Sequence, residues 1–133
     1  MVITLQLDSE TPLYEQICNQ IILGIATGRL AKDEKLPTVR QLASDLGINQ
    51  MTVNKAYALL KQEGYIVIDR RHGAKINSHV QETPTPQQSA RLEERLQLLI
   101  AQASIQGISP SGFAALCARI FSTMQVQPHP SRK

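Results

Sequence analysis

Cysteine is scarce in this sequence, and the two that occur, Cys18 and Cys117, are far apart and form no C-x-x-C pair. Each lies among apolar residues at helical spacing, so we expect packed side chains rather than a redox or metal-binding pair. Long apolar runs are also missing: the longest cover about six residues, whereas a membrane span needs roughly 20. Residues 1–10 contain neither the basic start nor the apolar segment of an export signal, which predicts a cytoplasmic protein with no membrane partner.

Motifs of common enzymes are absent as well. The sequence contains no H-E-x-x-H, no G-x-S-x-G, no phosphate-binding glycine loop and no metal-type spacing of cysteine and histidine. His72 and His79 fall in a predicted hairpin and His129 in the C-terminal tail, so we do not expect them to bind a metal. We therefore predict that the protein is not an enzyme, and we expect no cofactor.

The composition is that of a soluble globular protein. The chain has 133 residues, of which 42% are hydrophobic and 19% charged, enough for one domain or for a small domain with an appendage. A net charge of +3 is by itself weak evidence for a nucleic-acid partner. The distribution is more informative, because residues 40–80 hold three acidic residues against six basic ones: Arg40, Lys55, Lys61, Arg70, Arg71 and Lys75.

The start of the chain predicts a strand followed by a helix. Apolar and polar residues alternate over Val2–Leu7, which is typical of a short strand. Thr11-Pro12 then opens a helix, with Thr11 as the cap and Pro12 in the first helical position, where its missing N–H does no harm.

Two further helices and a hairpin predict a winged helix-turn-helix over residues 1–80. Thr38 to Gln41 has the form of a capping box and starts a short helix. Gly47 to Asn49 breaks it, and Asn49 caps the next helix. A hairpin with the turn Arg70 to Gly73 follows directly. The second helix buries one stripe: Val53, Ala56, Tyr57 and Leu60.

The C-terminal part predicts a linker and a helical pair. The Thr-Pro-Thr-Pro segment within residues 81–88 indicates a linker. Residues 89–124 form two helices, and residues 125–133 a flexible tail. Two helices of this length cannot enclose both of their apolar stripes, so we expect a second copy of the chain to cover them. The dimerisation residues predicted on the two stripes are Leu92, Leu96, Leu99, Ile100, Phe113, Leu116 and Ile120.

The residues predicted to contact DNA lie on three parts of the motif. The N-terminal end of the second helix enters the major groove in such motifs. A cation in the first turn of the preceding helix opposes the helix dipole, which favours a phosphate partner. The hairpin tip is basic. For each of the three parts the alternative is a solvated polar surface without DNA contact. Asn49 also serves as a helix cap. Met51 is a weaker candidate, for contact with a thymine methyl group. The set is Thr38, Arg40, Asn49, Gln50, Met51, Thr52, Asn54, Lys55, Arg70, Arg71, His72 and Gly73.

Several motifs in fixed order resemble the GntR family of bacterial transcription regulators over about residues 10–78. The short C-terminal part is similar to the YtrA-type subfamily, whose members carry a two-helix dimerisation region. The motifs are Pro12-Leu13-Tyr14-Glu15-Gln16-Ile17, Gly28-Arg29-Leu30, Leu36-Pro37-Thr38-Val39-Arg40-Gln41-Leu42-Ala43, Leu46-Gly47-Ile48-Asn49, Thr52-Val53-Asn54-Lys55-Ala56-Tyr57 and Leu60-Lys61-Gln62-Glu63-Gly64.

The resemblance implies a homodimer that binds an inverted-repeat DNA operator, usually as a repressor. The DNA contacts of the family carry over to Arg40, Thr52 and Gly73, which match its motif. Gln50 and Asn54 stand where the wider family often has arginine, so the resemblance does not supply the base preference. The aminotransferase-like extension of another GntR branch is absent, so no pyridoxal phosphate role follows.

Two other functions remain open at this stage. In the first, the C-terminal stripes bind a foreign protein and DNA contact is secondary. In the second, the C-terminal helices form a pocket for a small effector. The oligomeric state separates the first of these from a dimeric regulator, because an interaction module is a monomer until its partner arrives.

Overall fold

The computed structural model describes residues 1–71, 73–78 and 84–126 of the chain. The chain divides into two compact units, residues 1–80 and 81–133. The predicted class, mainly helical with one small antiparallel hairpin, is confirmed. The elements of the described residues are α1 (Leu13–Ala26), α2 (Val39–Leu46), α3 (Gln50–Gln62), β1 (Ile66–Asp69), β2 (Gly73–Ile76), α4 (Pro86–Ile105) and α5 (Pro110–Met124).

The core of the first unit lies where α1, α2 and β1 pack against α3. The stripe predicted for α3 is confirmed, since Val53, Ala56, Tyr57 and Leu60 are at most 2% exposed. Ile21 of α1, which is fully buried, belongs to the same core. Each large apolar side chain buried in this way contributes about 1.5–3 kcal/mol before entropy costs. One face of α3 is therefore held against the core.

The strand predicted over Val2–Leu7 is wrong. The segment has no strand partner among the described residues, and two glutamines of α1 supply its hydrogen bonds instead. Gln20 accepts from the Thr4 N–H at 3.0 Å and donates to the Thr4 carbonyl at 2.6 Å. In the same way, the Gln16 side chain accepts from the Gln6 N–H at 2.9 Å and donates to the Gln6 carbonyl at 3.0 Å. Four residues along a helix and two along an extended chain both cover about 6 Å, so the two spacings match.

Thr11-Pro12 and Thr85-Pro86 each precede a helix, but only the second threonine caps it, so the prediction made for each pair needs correction. Thr11 does not cap α1, which begins after Pro12 without a side-chain cap; the Thr11 carbonyl accepts from the Gln16 side chain at 2.8 Å. Thr85, predicted as linker, caps α4 through a full capping box with Gln88. Helix α4 therefore begins at Pro86, inside the linker predicted over residues 81–88, and residues 79–83 lie outside the described part.

The hairpin gains a third paired segment that the sequence did not predict. The strands pair in antiparallel register from Ile66 opposite Ile76 to Asp69 opposite Gly73. The loop before α2 then lies along the other edge of β2, where the Leu36 N–H donates to the Ala74 carbonyl at 2.9 Å. The hairpin is consequently fixed to the segment that leads into the helix-turn-helix.

The second unit leaves most of its apolar surface uncovered. Helices α4 and α5 pack on each other, yet Ala103 is their one buried residue within the described part. Leu92 is 64% exposed and Leu99 55% exposed, although both belong to the predicted stripe. No helix of the described residues is long and apolar enough to cross a membrane. Of the predicted tail, residues 127–133 lie outside the described part.

Candidate nucleic-acid interface

The turn between α2 and α3 is defined by three local features. The Thr38 hydroxyl accepts from the Gln41 N–H at 3.0 Å and so caps α2, as predicted. Gly47 ends that helix with a φ of 68°, a left-handed conformation that an L-residue with a side chain rarely adopts. Asn49 caps α3 by accepting from the Met51 N–H at 2.8 Å, also as predicted. These local signals fix the direction in which α3 leaves α2.

The exposed face of α3 carries the side chains predicted to read DNA. Gln50, Met51, Asn54 and Lys55 are exposed, and Thr52 is half-buried. All five lie in the first two turns, the end that enters the major groove in helix-turn-helix proteins. The structure thus brings together the predicted residues of this helix on its solvent side.

Arg40 lies three residues after a carbonyl that accepts a hydrogen bond from the core of α3. It is the second residue of α2 and is exposed. The buried hydroxyl of Tyr57 donates to the Pro37 carbonyl at 2.8 Å, just before the cap residue Thr38. Burial raises the pKa of Tyr57, so the phenol stays a neutral donor. Sequence reasoning placed Tyr57 in the core but missed this bond, because a pattern of apolar spacing does not show where a hydroxyl points.

Two basic side chains of the motif already have partners. The ammonium group of Lys55 lies 4.0 Å from the centre of the Tyr14 ring, in a cation–π contact between α3 and α1. Lys75 lies 3.5 Å from a carboxylate oxygen of Asp33, in an exposed ion pair. Lys75 is thus a weaker phosphate candidate than its place in the basic cluster suggested, and Lys55 is held beside the exposed face.

The hairpin tip presents the predicted arginines. Arg70 and Arg71 are exposed, and the Asp69 carboxylate accepts from the Arg71 N–H at 2.8 Å, which closes the turn. Gly73 begins β2 with a φ of 75°, where a side chain would be strained. His72, predicted at this tip, lies outside the described residues.

Two exposed apolar residues of α3 were missed, Ala58 and Leu59, of which Leu59 is 37% exposed. Ala58 lies seven residues, or two helical turns, after Met51 and within about 20° of it around the helix axis. A helical projection of the sequence would have shown this, since Val53, Ala56 and Leu60 define the opposite side. The exposed face therefore has an apolar centre, with the amides of Gln50 and Asn54 to one side.

The described residues contain no group of three or more histidine, cysteine or acidic side chains that could hold a metal ion. Cys18 is buried, as predicted. The pKa of its thiol is raised mainly by this burial and to a smaller extent by the negative charge of Glu15. A raised pKa makes a thiol less reactive. Cys117 is half-buried on α5.

Comparisons with known proteins agree with this geometry. Residues 13–76 match the family model "Bacterial regulatory proteins, gntR family". The HTH-type transcriptional repressor YtrA of Bacillus subtilis (strain 168) is 36% identical over 100 residues, which are 75% of this chain and 77% of that protein. The structure of YtrA from Sulfolobus acidocaldarius, a GntR-family transcription factor, is 39% identical with a TM-score of 0.62 and covers 79% of this chain and 99% of its own.

A third comparison bears on the fold alone. The crystal structure of a transcriptional antiterminator from Listeria monocytogenes EGD-e has a TM-score of 0.86 and covers 99% of this chain and 98% of its own, at 24% identity. Both units of the chain thus have counterparts in one solved structure.

Proposed function

Because the chain belongs to the GntR family of bacterial regulatory proteins and is a DNA-binding transcription regulator, we propose that it represses transcription by binding an inverted-repeat DNA operator as a homodimer. The family consists of transcription regulators rather than enzymes. The observation that carries the proposal is the N-terminal end of α3, where Gln50, Met51 and Asn54 are exposed among the described residues. The similarity to a transcriptional repressor over most of both chains supports the sign of regulation.

The DNA contacts are assigned by position in the motif. Gln50 and Asn54 present amides that can bond adenine in the major groove, and Met51 lies beside them. The remaining candidates are expected to contact the phosphate backbone, which fixes the protein on the duplex without reading its sequence. These are Thr38, Arg40, Asn49, Thr52, Lys55, Arg70, Arg71 and Gly73, with His72 retained from the sequence.

The second unit supplies the dimer in this proposal. Leu96, Leu99 and Ile120 are 41%, 55% and 46% exposed in the single chain. Packing the equivalent faces of two chains together would form a four-helix core and remove this apolar surface from water. Each chain then presents one α3, so half-sites should lie about one turn of DNA apart or a multiple of it.

The test of the dimer is a charge placed on the predicted stripe of the full chain. Leu99→Glu should give a monomer in light scattering and weaken operator binding at least tenfold, because the second linked contact is lost. Gln97→Glu, an exposed polar position of the same helix that points away from the stripe, is the matched control and should remain dimeric. A Leu99→Glu protein that stays dimeric and keeps full affinity would contradict the assignment.

The alternative functions predict a different oligomeric state or a different response of operator affinity. A protein-interaction module would be monomeric before any substitution. An effector-binding sensor would be dimeric but would change its operator affinity on addition of a small molecule, and the comparisons leave an effector open. A repressor has to reach chromosomal DNA, so we propose that the protein acts in the cytoplasm.

A further inference from the structure

We propose that the centre of the exposed face of α3 is a reader of thymine methyl groups, formed by Met51 and Ala58. The inference rests on the proposed function, since it assumes that this face enters the major groove. It adds to that function the chemical feature of the half-site that the helix recognises. Its starting point is the exposure of a large apolar side chain: Met51 is 75% exposed at the second position of the helix.

Folding does not account for the position of Met51. The side chain lies opposite the stripe of Val53, Ala56 and Leu60, so it is as far from the core as any residue of α3. The hydrogen bond to Asn49 uses only its backbone N–H. The flexible thioether of methionine can adapt its shape to an apolar group that it contacts. The apolar group that DNA presents in the major groove is the C5-methyl of thymine.

Ala58 extends the same apolar line along the helix. It is exposed, and it follows Met51 by two turns on nearly the same side. A methyl side chain both contacts a thymine methyl and lets the helix approach the bases closely, which a longer side chain would prevent. Lys55, which lies between them in sequence, is drawn aside over the ring of Tyr14 and leaves the centre of the face open.

The spacing of the two residues predicts the spacing of the two thymines. Seven residues rise about 10.5 Å along a helix, and successive bases rise about 3.4 Å along one DNA strand. The proposal requires α3 to lie along the groove over its first three turns, and the two contacts are then about three base pairs apart. The amides of Gln50 and Asn54 then read bases at the side of this line.

The experiment begins with selection of bound sites from random duplex DNA by the full-length protein. In the selected half-site each thymine is then replaced, one at a time, by uracil, which removes the methyl and keeps the base pairing. We expect two replacements, about three base pairs apart, to weaken binding by roughly threefold to tenfold each.

Two variants assign the methyl groups to their readers. Met51→Gln keeps the length of the side chain, and Ala58→Ser keeps its size. Met51→Gln should abolish the uracil effect at one thymine only, and Ala58→Ser at the other only, so each variant is the control for the other. Both positions are exposed, and thermal unfolding should be nearly unchanged.

The outcomes separate this inference from the function on which it rests. A selected site whose uracil effects are absent, or are the same in both variants and the parent protein, overturns the thymine-reading inference and leaves the DNA-binding function intact. Failure to select any site overturns the proposed operator binding, and this inference with it.

Discussion

One hydroxyl group adds a hydrogen bond to the apolar packing between the two helices of the helix-turn-helix. Tyr57 is 2% exposed and belongs to the apolar stripe of α3, yet its hydroxyl donates to the Pro37 carbonyl at 2.8 Å. Pro37 lies directly before Thr38, the cap of α2, and three residues before Arg40. This bond therefore connects α3, the helix proposed to read bases, to the segment that leads into α2.

Tyr57→Phe should lower the free energy of unfolding by about 1 kcal/mol near neutral pH, because the Pro37 carbonyl loses its donor. Urea unfolding measures this, and Tyr65→Phe is the matched control, since its hydroxyl bonds no described residue. The parent protein should also lose stability above about pH 10, where tyrosine in the unfolded chain ionises and the buried phenol does not. An equal alkaline loss in Tyr57→Phe would contradict this assignment.

The helices differ in how their first turns are satisfied. Helix α4 starts with a complete capping box, in which the Thr85 hydroxyl accepts from the Gln88 N–H at 3.1 Å and the Gln88 side chain accepts from the Thr85 N–H at 2.9 Å. Helix α1 has no side-chain cap and is anchored instead by Gln16, which binds the chain before it. The stability of α4 therefore depends more on a single local residue.

Thr85→Ala should reduce stability by about 1 kcal/mol, the usual cost of losing an N-cap. The reason is that the Gln88 N–H loses its acceptor, the Thr85 hydroxyl, whereas the N–H of residue 85 keeps the Gln88 side chain as its acceptor. Circular dichroism during urea unfolding provides the measurement, and Ser104→Ala, exposed near the other end of α4, is the matched control. Equal stability of Thr85→Ala and the parent protein would show that the box is not formed in solution.

The charge of the molecule as a whole is modest, and its placement decides how strongly DNA is held. The net charge is +3. Among the cations of the motif, Lys75 is paired with Asp33 and Lys55 lies over Tyr14. Arg40, Arg70 and Arg71 are exposed and form no ion pair with another described residue. A dimer thus presents two copies of three arginines to phosphate.

The logarithm of operator affinity should fall with the logarithm of salt concentration with a slope of about −7, from eight phosphate contacts, namely the three arginines and Lys55 of each chain, at roughly −0.9 each. Arg40→Gln should make the slope shallower by about 2, one for each chain, without changing the preferred sequence. Arg95→Gln, at an exposed position of α4, is the control and should leave the slope unchanged. A changed base preference in Arg40→Gln would show instead that Arg40 reads bases.

Local sequence determined the parts of this protein that depend on neighbouring residues. The stripe of α3 follows from helical spacing, and the caps Thr38 and Asn49 follow from side chains that bond the backbone two or three residues later. The left-handed turn at Gly47 follows from its lack of a side chain. These features made the helix-turn-helix, and most of the candidate interface, predictable.

The tertiary structure decided what depends on residues distant in sequence. Alternation over Val2–Leu7 predicted a strand that the structure does not form, because side-chain amides of α1 bond this segment where a neighbouring strand was expected. The third paired segment at Leu36, and the engagement of Lys55 by Tyr14, arise only when α1 and β2 are brought beside these residues. Periodicity and capping report contacts within a few residues, whereas these contacts require the chain to have folded.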